Sequence, residues 1–352
     1  MSGLPDEITV REYRPGDEGS IVECFNRVFA AGNPSFVPRT LEAWRWEFER
    51  NPAGRRIALA VRGSGDVVAQ FCALPARALF EGRGVTFHQA VDSMADPRHG
   101  RSLFPREGRE KGRRPTSLFV RTAEFFVERW GLSGSDLFGY GFPIPIAHRI
   151  GREHLGYEVI RTQLLLWRPV EGATPGRSPS PPGAGVVLEE PDRLDARVDA
   201  LWERCAGAFR ASLVRDLPYL RWRYEENRSF RYRWAVVRAA GGEALLGLAA
   251  YRRGTFSDRD QGLLVEWLVP RAEPEAARAL LGWAIRRAGE EGADRLAAVL
   301  PDSSPWFLFF QREGFLVERT KYVLVGRNYI GREDAGWFRK HWEYTLGDFD
   351  LA

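Results

Sequence analysis

Sulfur-containing residues are scarce in this sequence of 352 residues, which has three cysteines and two methionines. The cysteines, Cys24, Cys72 and Cys205, are odd in number and widely spaced, and each has apolar neighbours. This pattern excludes a disulfide framework and a zinc site of paired cysteines, because both need cysteines at matched spacings. We therefore expect three buried, unreactive thiols and no metal.

The sequence also lacks long apolar runs. No stretch approaches the roughly 18 apolar residues that suggest a membrane-spanning helix, and residues 1–19 are charged and contain no apolar stretch typical of a signal peptide. We expect a cytoplasmic protein with no membrane partner. The composition, 44% hydrophobic and 28% charged, is that of a globular protein, and the length exceeds what one core comfortably holds, so two domains are expected.

Excess charge of one sign is small overall, because 51 basic and 47 acidic residues give a net charge of +4. Residues 98–114 depart from this balance with a local charge of +5, from seven basic and two acidic residues. Such a run is usually a solvated loop, but this one lies between an apolar strand and a helix that Ser117 can cap, which favours anion binding. Nucleic acid is an unlikely anion here, since only Phe104 interleaves with the basic residues.

A break in the pattern divides the chain into two similar halves. Residues 171–185 are rich in proline, glycine and serine, as in a stiff linker. On either side of it, WRWEFERN (44–51) is echoed by LRWRYEEN (220–227), which aligns Trp46 with Trp222. We call the separation between these two tryptophans the repeat offset. We predict a duplicated protein with domains at 1–170 and 186–352, as a monomer or a homodimer.

Each half shows the same predicted order of elements, beginning with a strand, a helix and a tryptophan-rich helical stretch. Three strands, a long helix, a strand, a short helix and a final strand follow. In the first half, strands are predicted at 8–14, 56–62, 67–80, 85–94, 136–140 and 158–167, and the two main helices are predicted at 17–31 and 117–130. Strands joined partly by hairpins and partly by helical crossovers predict the α+β class, with a mixed, mostly antiparallel sheet flanked by helices in each half.

Several motifs, in this order, resemble the GCN5-related N-acetyltransferase (GNAT) superfamily. Residues 91–97 (VDSMADP) and 98–101 (RHGR) are similar to the family's fourth strand and pyrophosphate loop. Residues 138–145 (FGYGFPIP) and 147–157 (AHRIGREHLGY) are similar to its fifth strand and following helix. The similarity covers about residues 7–168 well, and the second half matches chiefly in element order.

The resemblance implies two tandem GNAT-like domains and an N-acyltransferase, above all an N-acetyltransferase. It would move an acyl group from acetyl-CoA, or another acyl-CoA, to an amine of a small-molecule or peptide acceptor. The first domain would do this, and the second would be degenerate, because acidic residues stand in it where phosphates would lie. The residues that the resemblance implies in cofactor binding are Ser93, Met94, Ala95, Arg98, His99, Gly100, Arg101, Gly112, Ser117 and Leu118.

The chemistry supports this assignment in part. A diphosphate needs converging backbone N–H groups, which a glycine-containing turn opening a helix provides, and flanking arginines add bidentate donors. This loop departs from the family's usual close glycine spacing, since no glycine stands between Gly100 and Gly108.

Catalytic residues are less clearly marked. The acceptor amine must lose a proton, and Asp92 and His88, four apart on one strand, would share a face by the period of two. The sequence fits a structural role for the Asp92 carboxylate as well as it fits a catalytic one. For His88, a surface or structural role fits better than a catalytic one. The tyrosine that many relatives use as a general acid is replaced by Arg152, and a backbone amide near Met94 would polarise the thioester carbonyl. In the second half, Glu266 aligns near Asp92. Its side chain either faces the acceptor or faces solvent.

Two other functions stay open on this sequence. A Fem-type aminoacyl transferase also pairs two GNAT-like domains but takes its donor from aminoacyl-tRNA, and the basic run at 98–114 could serve a tRNA. The motif at 91–101 favours acyl-CoA over that donor. A non-catalytic binding protein that kept the fold and lost the loop geometry is the other alternative, suggested by the missing tyrosine and the altered glycines.

Overall fold

The computed structural model describes residues 7–31, 33–99, 103–104, 116–170 and 185–351. Its strands are β1 Ile8–Glu12, β2 Arg56–Arg62, β3 Val67–Phe80, β4 Arg83–Ala95, β5 Leu103–Phe104, β6 Thr116–Ser117, β7 Phe138–Gly141, β8 Glu158–Pro169, β9 Val186–Glu189, β10 Ala211–Leu213, β11 Arg233–Ala239, β12 Leu245–Phe256, β13 Arg259–Leu268, β14 Arg295–Ala298, β15 Leu316–Asn328 and β16 Trp342–Glu343. Its α-helices are α1 Glu18–Ala30, α2 Leu41–Trp44, α3 Leu118–Phe126, α4 Pro145–His154, α5 Arg197–Ala206, α6 Leu217–Leu220, α7 Pro274–Glu290, α8 Pro305–Arg312 and α9 Ala335–His341. Three π-helical turns, Arg45–Glu49, Val127–Gly131 and Arg221–Glu225, continue α2, α3 and α6, and a 3₁₀ turn covers Leu346–Asp348.

The described residues form two compact units, each with pieces from both halves of the sequence. Unit 1 contains those of Met1–Ala76, Thr86–Val159 and Val325–Asp334. Unit 2 contains those of Arg77–Val85, Ile160–Leu324 and Ala335–Ala352. Strands β3, β4, β8 and β15 therefore each contribute residues to both units.

Unit 1 is built on a mostly antiparallel sheet in the order β1-β2-β3-β4-β7-β15, in which β4 and β7 are parallel. Residues of β3 alternate between its two faces, because successive side chains in a strand point to opposite sides. Cys72 packs with Trp44 and Phe48 on the face of α1 and α2. Phe71 packs with Phe126 of α3 on the other face. The sheet thus has helices on both sides.

Unit 2 has the same plan, with the strand order β15-β8-β14-β13-β12-β11-β9 and a parallel pair at β13 and β14. Helix α7 buries one face in a large core that contains Trp283, Trp267 and Phe310. Strand β10 pairs with residues 78–80 of β3 and with β16 near the carboxyl end of the chain. The predicted α+β class, with a mostly antiparallel sheet flanked by helices, is confirmed.

The hairpin before the fourth strand has the same two-residue form in both units. Glu81 and Gly82 join β3 to β4, and Ser257 and Asp258 join β12 to β13, with positive φ at all four residues. This is the backbone that a tight hairpin turn requires, because it matches the twist of the strands. The two turns are separated by the repeat offset, as the predicted duplication would require.

The predicted helix at 117–130 begins one residue later and changes form before its end. Ser117 caps it by accepting a hydrogen bond from Val120 N at 3.3 Å. The α-helix ends at Phe126, and the π-helical turn follows it.

The prediction that the three cysteines are buried thiols is confirmed, because Cys24, Cys72 and Cys205 are free and buried. In the ranges described, no helix is both long and apolar enough to cross a membrane.

Candidate active site

The parallel strands β4 and β7 stop pairing before β4 ends. Their register joins Phe87–Gln89 to Phe138–Tyr140. Gly141, the last residue of β7, lies so close to β4 that a Cβ there would be 3.2 Å from Ala90 O. Strand β4 continues to Ala95, beyond the last residue that pairs with β7.

Strand β4 leaves extended backbone at Asp92, which has a positive φ of 48°, and we call this local distortion the bulge. The neighbouring strand β3 holds the bulge through two side chains. Gln70 Nε2 donates to Asp92 O at 3.1 Å, and the Cys72 thiol donates to Val91 O at 3.2 Å. Left-handed backbone is costly for a residue other than glycine, so it persists only where the surroundings fix it.

The Asp92 carboxylate lies in an ion-pair cluster on the α1 and α2 side of the sheet. Arg39 donates from both terminal nitrogens to Asp92, and its Nη2 is 3.3 Å from Glu47 Oε2. The guanidinium also lies 4.0 Å over the ring of Phe25, and Asn26 fixes the Arg39 backbone with two hydrogen bonds. Burial lowers the pKa of Arg39, but the two carboxylates outweigh it and raise the pKa, so the guanidinium stays charged.

Two further groups belong to this cluster. The thiol of Cys72 has a strongly raised pKa, because it is buried and because Asp92 and Glu47 are near, so it is inert. Gln70 is 1% exposed, and its Oε1 is buried without a hydrogen-bond partner in the described part of the chain. An unpaired buried acceptor is costly, and this one belongs to the side chain whose Nε2 donates to Asp92 O.

His88 does not join Asp92, contrary to the expectation that the two share a face. Its ring packs edge-on against Phe126 of α3, and its Nδ1 is 2.8 Å from Asp136, which also pairs with Arg56 at 2.9 Å. Its Nε2 lies 3.4 Å from the Tyr329 hydroxyl. The bulge at Asp92 is the reason, because an inserted residue shifts the alternation of side chains along the strand.

The structure describes part of the predicted acyl-CoA site. Arg98 binds the buried Asp96, with Nη2 2.6 Å from Oδ2, and this hydrogen bond is the main reason that the pKa of Asp96 is low. Ser117 caps α3, whereas Leu118 and Met94 are buried in cores. Ser93, Ala95 and His99 lie at the end of β4 and just beyond it. Gly100, Arg101 and Gly112 are outside the described residues.

Glu266 on β13 is fully buried, so the expectation that it faces solvent is wrong. It binds Arg215 Nε at 3.0 Å and the Tyr224 hydroxyl at 3.1 Å. Asp348, from the end of the chain, binds the other side of the same guanidinium. This arrangement is an arginine held between two buried carboxylates within unit 2.

Comparison with known proteins agrees with this geometry at the level of fold. No family model and no curated protein matches the sequence. Among solved structures, an Enterococcus faecalis protein described as a probable N-acyltransferase is 13% identical, with a TM-score of 0.65 over 95% of this chain and 74% of that one. The chain has the GNAT fold. An Anabaena variabilis GCN5-related N-acetyltransferase is 11% identical, with a TM-score of 0.63 over 92% of this chain and 73% of that one.

A further similar structure contains a bound ligand. Saccharomyces cerevisiae N-myristoyltransferase with bound myristoyl-CoA is 12% identical, with a TM-score of 0.54 over 94% of this chain and 81% of that one. The chain is thus similar in fold to a structure described as a GCN5-related N-acetyltransferase and to one with bound myristoyl-CoA.

Sequence reasoning selected Asp92 but missed the side chains around it, which are Arg39, Glu47 and Gln70. One signal could have found the arginine. Arg39 and Arg215 are separated by the repeat offset, and each stands just before the residue that caps a short helix, Thr40 in one case and Asp216 in the other. A search for charged residues repeated at this offset would have paired them.

Proposed function

We propose that the chain is an N-acyltransferase that moves an acyl group, foremost acetyl, from acyl-CoA to an amine of its acceptor, using the first half of the sequence. The observation that carries the proposal is the carboxyl end of β4, which runs past β7 and bulges at Asp92 beside a cluster of charged residues. The edge of β4 would pair with the amide groups of the donor. The acceptor would bind at the cluster of charged residues beside Asp92, on the other side of β4.

The residues present suit a coenzyme A thioester. The strand edge beyond Ala90 suits its amide-containing arm, and the end of α3 that Ser117 caps suits its phosphates through unpaired N–H groups and the helix dipole. Bound there, acyl-CoA would supply an activated carbonyl and a good leaving group. We propose that Ser93, Met94, Ala95, Arg98, His99, Gly100, Arg101, Gly112, Ser117 and Leu118 form this site.

Asp92 is the proposed base. It takes one proton from the acceptor ammonium, which frees the nitrogen lone pair to attack the thioester carbonyl. A C–N bond then forms and the C–S bond breaks, its electron pair leaving on sulfur. The second nitrogen proton goes to solvent, and solvent protonates the thiolate, whose pKa near roughly 8.5 makes it a good leaving group. Arg39 holds the Asp92 side chain in place for this transfer.

The proposal is tested by thiol release from acetyl-CoA in the presence of amines, with product mass measured in parallel. We expect Asp92→Asn to lower kcat by roughly 100-fold or more, the usual contribution of a general base. The matched control is Asp66→Asn, because Asp66 is exposed in the turn between β2 and β3. Equal rates for the two variants would contradict the role of Asp92, and no product with any acyl-CoA and amine would contradict the function.

A further inference from the structure

The two halves carry the same arginine–carboxylate pair beside a bulged strand. In the first half Arg39 binds Asp92, where β4 bulges. In the second half Arg215 binds Glu266, next to a bulge in the register of β12 and β13. The arginines are separated by the repeat offset and precede equivalent caps, whereas Asp92 and Glu266 are two residues closer together in sequence. The comparison by position therefore applies to the arginines and to the helical segments that follow them.

In the second half, the chain's own end lies on this pair. We call residues 342–350 the tail segment. Arg223 Nε donates to Gly347 O at 2.9 Å, and Arg223 Nη2 donates to Phe349 O. Asp348 binds Arg215. A Cβ at Gly347 would lie 2.7 Å from Val265 O of β13 and would overlap the Tyr224 hydroxyl, so the tail segment packs tightly here. The second-half pair is therefore covered by polypeptide, whose carbonyl groups are bound by an arginine.

At one position of the repeat, the first half has a side chain of the opposite charge. Glu47 is the counterpart of Arg223 at the repeat offset, so a carboxylate stands where the second half has the carbonyl-binding guanidinium. Arg39 (+1), Asp92 (−1) and Glu47 (−1) together give a net charge of −1. A ligand there meets acceptors of hydrogen bonds, which suits an ammonium group.

Two observations indicate that this place is made for a ligand. Only 1% of Gln70 is exposed, yet its Oε1 has no partner within the described ranges. The side chains of Arg39, Glu47 and Asp92 are 18%, 14% and 12% exposed, whereas those of Arg215 and Glu266 are 2% and 0% exposed. The three charged side chains of the first-half cluster are thus partly exposed, and the buried Gln70 behind them has an unpaired acceptor, whereas the counterpart cluster is closed by the tail segment.

We propose that Arg39, Glu47, Gln70 and Asp92 form an acceptor seat that binds a peptide bearing a free primary ammonium. The inference rests on the proposed function and names its acceptor class. The ligand is a peptide because the tail segment, itself polypeptide, covers the equivalent cluster in the second half. The free amine is selected because Glu47 replaces the carbonyl-binding Arg223. Glu47 and Gln70 Oε1 hold the ammonium, and Asp92 takes its proton.

The test compares acceptors with acetyl-CoA as donor. The acceptors are an octapeptide of glycine, serine and alanine with a free amino terminus, the same peptide with an acetylated terminus, glucosamine and spermidine. We expect the free peptide to have the highest kcat/KM and the blocked peptide to give no product. Glucosamine or spermidine as the best acceptor would overturn the inference while leaving the proposed function intact.

Variants of Glu47 test the seat itself. We expect Glu47→Gln to raise KM for the free peptide at least 10-fold, and Glu47→Arg, which copies the second half, to abolish peptide acylation. The Kd for acetyl-CoA should stay within twofold, which shows that the variants are folded. The matched control Glu49→Gln, on the same π-helical turn but paired with Arg45 near the surface, should leave KM unchanged.

The outcomes separate the two claims. An unchanged KM in Glu47→Gln, with peptide still the best acceptor, would overturn the role of Glu47 and with it the seat. Failure of the wild-type protein to bind acetyl-CoA and to acylate any amine would overturn the proposed function, and the inference would fall with it.

Discussion

Replacement of Arg215 by methionine should be among the most destabilising single changes in unit 2. Arg215 is 2% exposed and lies between Glu266 and Asp348, both 0% exposed as side chains. Methionine fills much of the volume but leaves two buried carboxylates without their counter-charge. Breaking a buried ion pair costs about 3–5 kcal/mol, because the remaining charge is desolvated without compensation. For a unit of this size, that corresponds to a fall in Tm of roughly 10 °C.

Urea and thermal unfolding, followed by circular dichroism, measure this effect. The control Arg278→Met removes an arginine that is 44% exposed and pairs with Glu275 on the surface, and it should change stability by less than about 0.5 kcal/mol. The triple change Arg215→Met, Glu266→Gln and Asp348→Asn should recover most of the loss, because no buried charge is left alone. A loss below about 1 kcal/mol in Arg215→Met would show that the two carboxylates do not depend on the Arg215 charge for their burial.

Three further changes test other parts of the structure. Gly139→Ala should destabilise by about 1–3 kcal/mol in urea unfolding, because its Cβ would lie 2.5 Å from His88 Nε2 and 2.8 Å from the Tyr329 hydroxyl. Glu343→Gln should flatten the pH dependence of Tm. Burial raises the pKa of Glu343 from 4.5 to about 7, so the stability that it contributes is present below pH 4.5 and is lost as the pH rises to 7. Asp136→Asn should cost about 3 kcal/mol at pH 7, with a smaller cost in acid. Although burial raises the pKa of Asp136, its partners His88 and Arg56 lower it overall, so the stability of the carboxylate is lost as the pH falls through that lowered pKa.

Local patterns predicted the sheet strands well. The limits of β2 and β3, at 56–62 and 67–80, are those that alternation and turn residues indicate. Between β3 and β4 the pair Glu81 and Gly82 marks a tight hairpin, because glycine tolerates positive φ. Such features depend on neighbours in sequence and can be found without the fold.

Features that depend on distant residues were not predicted. The bulge at Asp92 is fixed by Gln70 and Cys72 of the next strand, so alternation along β4 alone placed His88 and Asp92 on one face. The burial of Glu266 depends on Arg215 and on a residue near the carboxyl end, Asp348, which no local pattern joins.

The Asp92 site shows the same limit. Its motif, 91–97, is found through its resemblance to the GNAT family, and Asp92 is predicted there as a carboxylate that could take the proton of the acceptor amine. Arg39 and Glu47 come from the loop and the π-helical turn around α2, and their approach to β4 is a consequence of packing. The internal repeat is the one sequence signal that links them to a counterpart.

Calorimetric titration with acetyl-CoA measures whether the protein binds an acyl donor. We predict that the wild-type protein binds acetyl-CoA with a Kd near micromolar, about −8 kcal/mol, and that changing both Arg98 and Arg101 to alanine abolishes binding. Asp92→Asn should bind acetyl-CoA as the wild type does, because Asp92 serves the acceptor. No heat and no thermal shift with acetyl-CoA, propionyl-CoA or longer acyl-CoA would rule out an acyl-CoA donor, and would favour an aminoacyl-tRNA donor or a binding protein without catalysis.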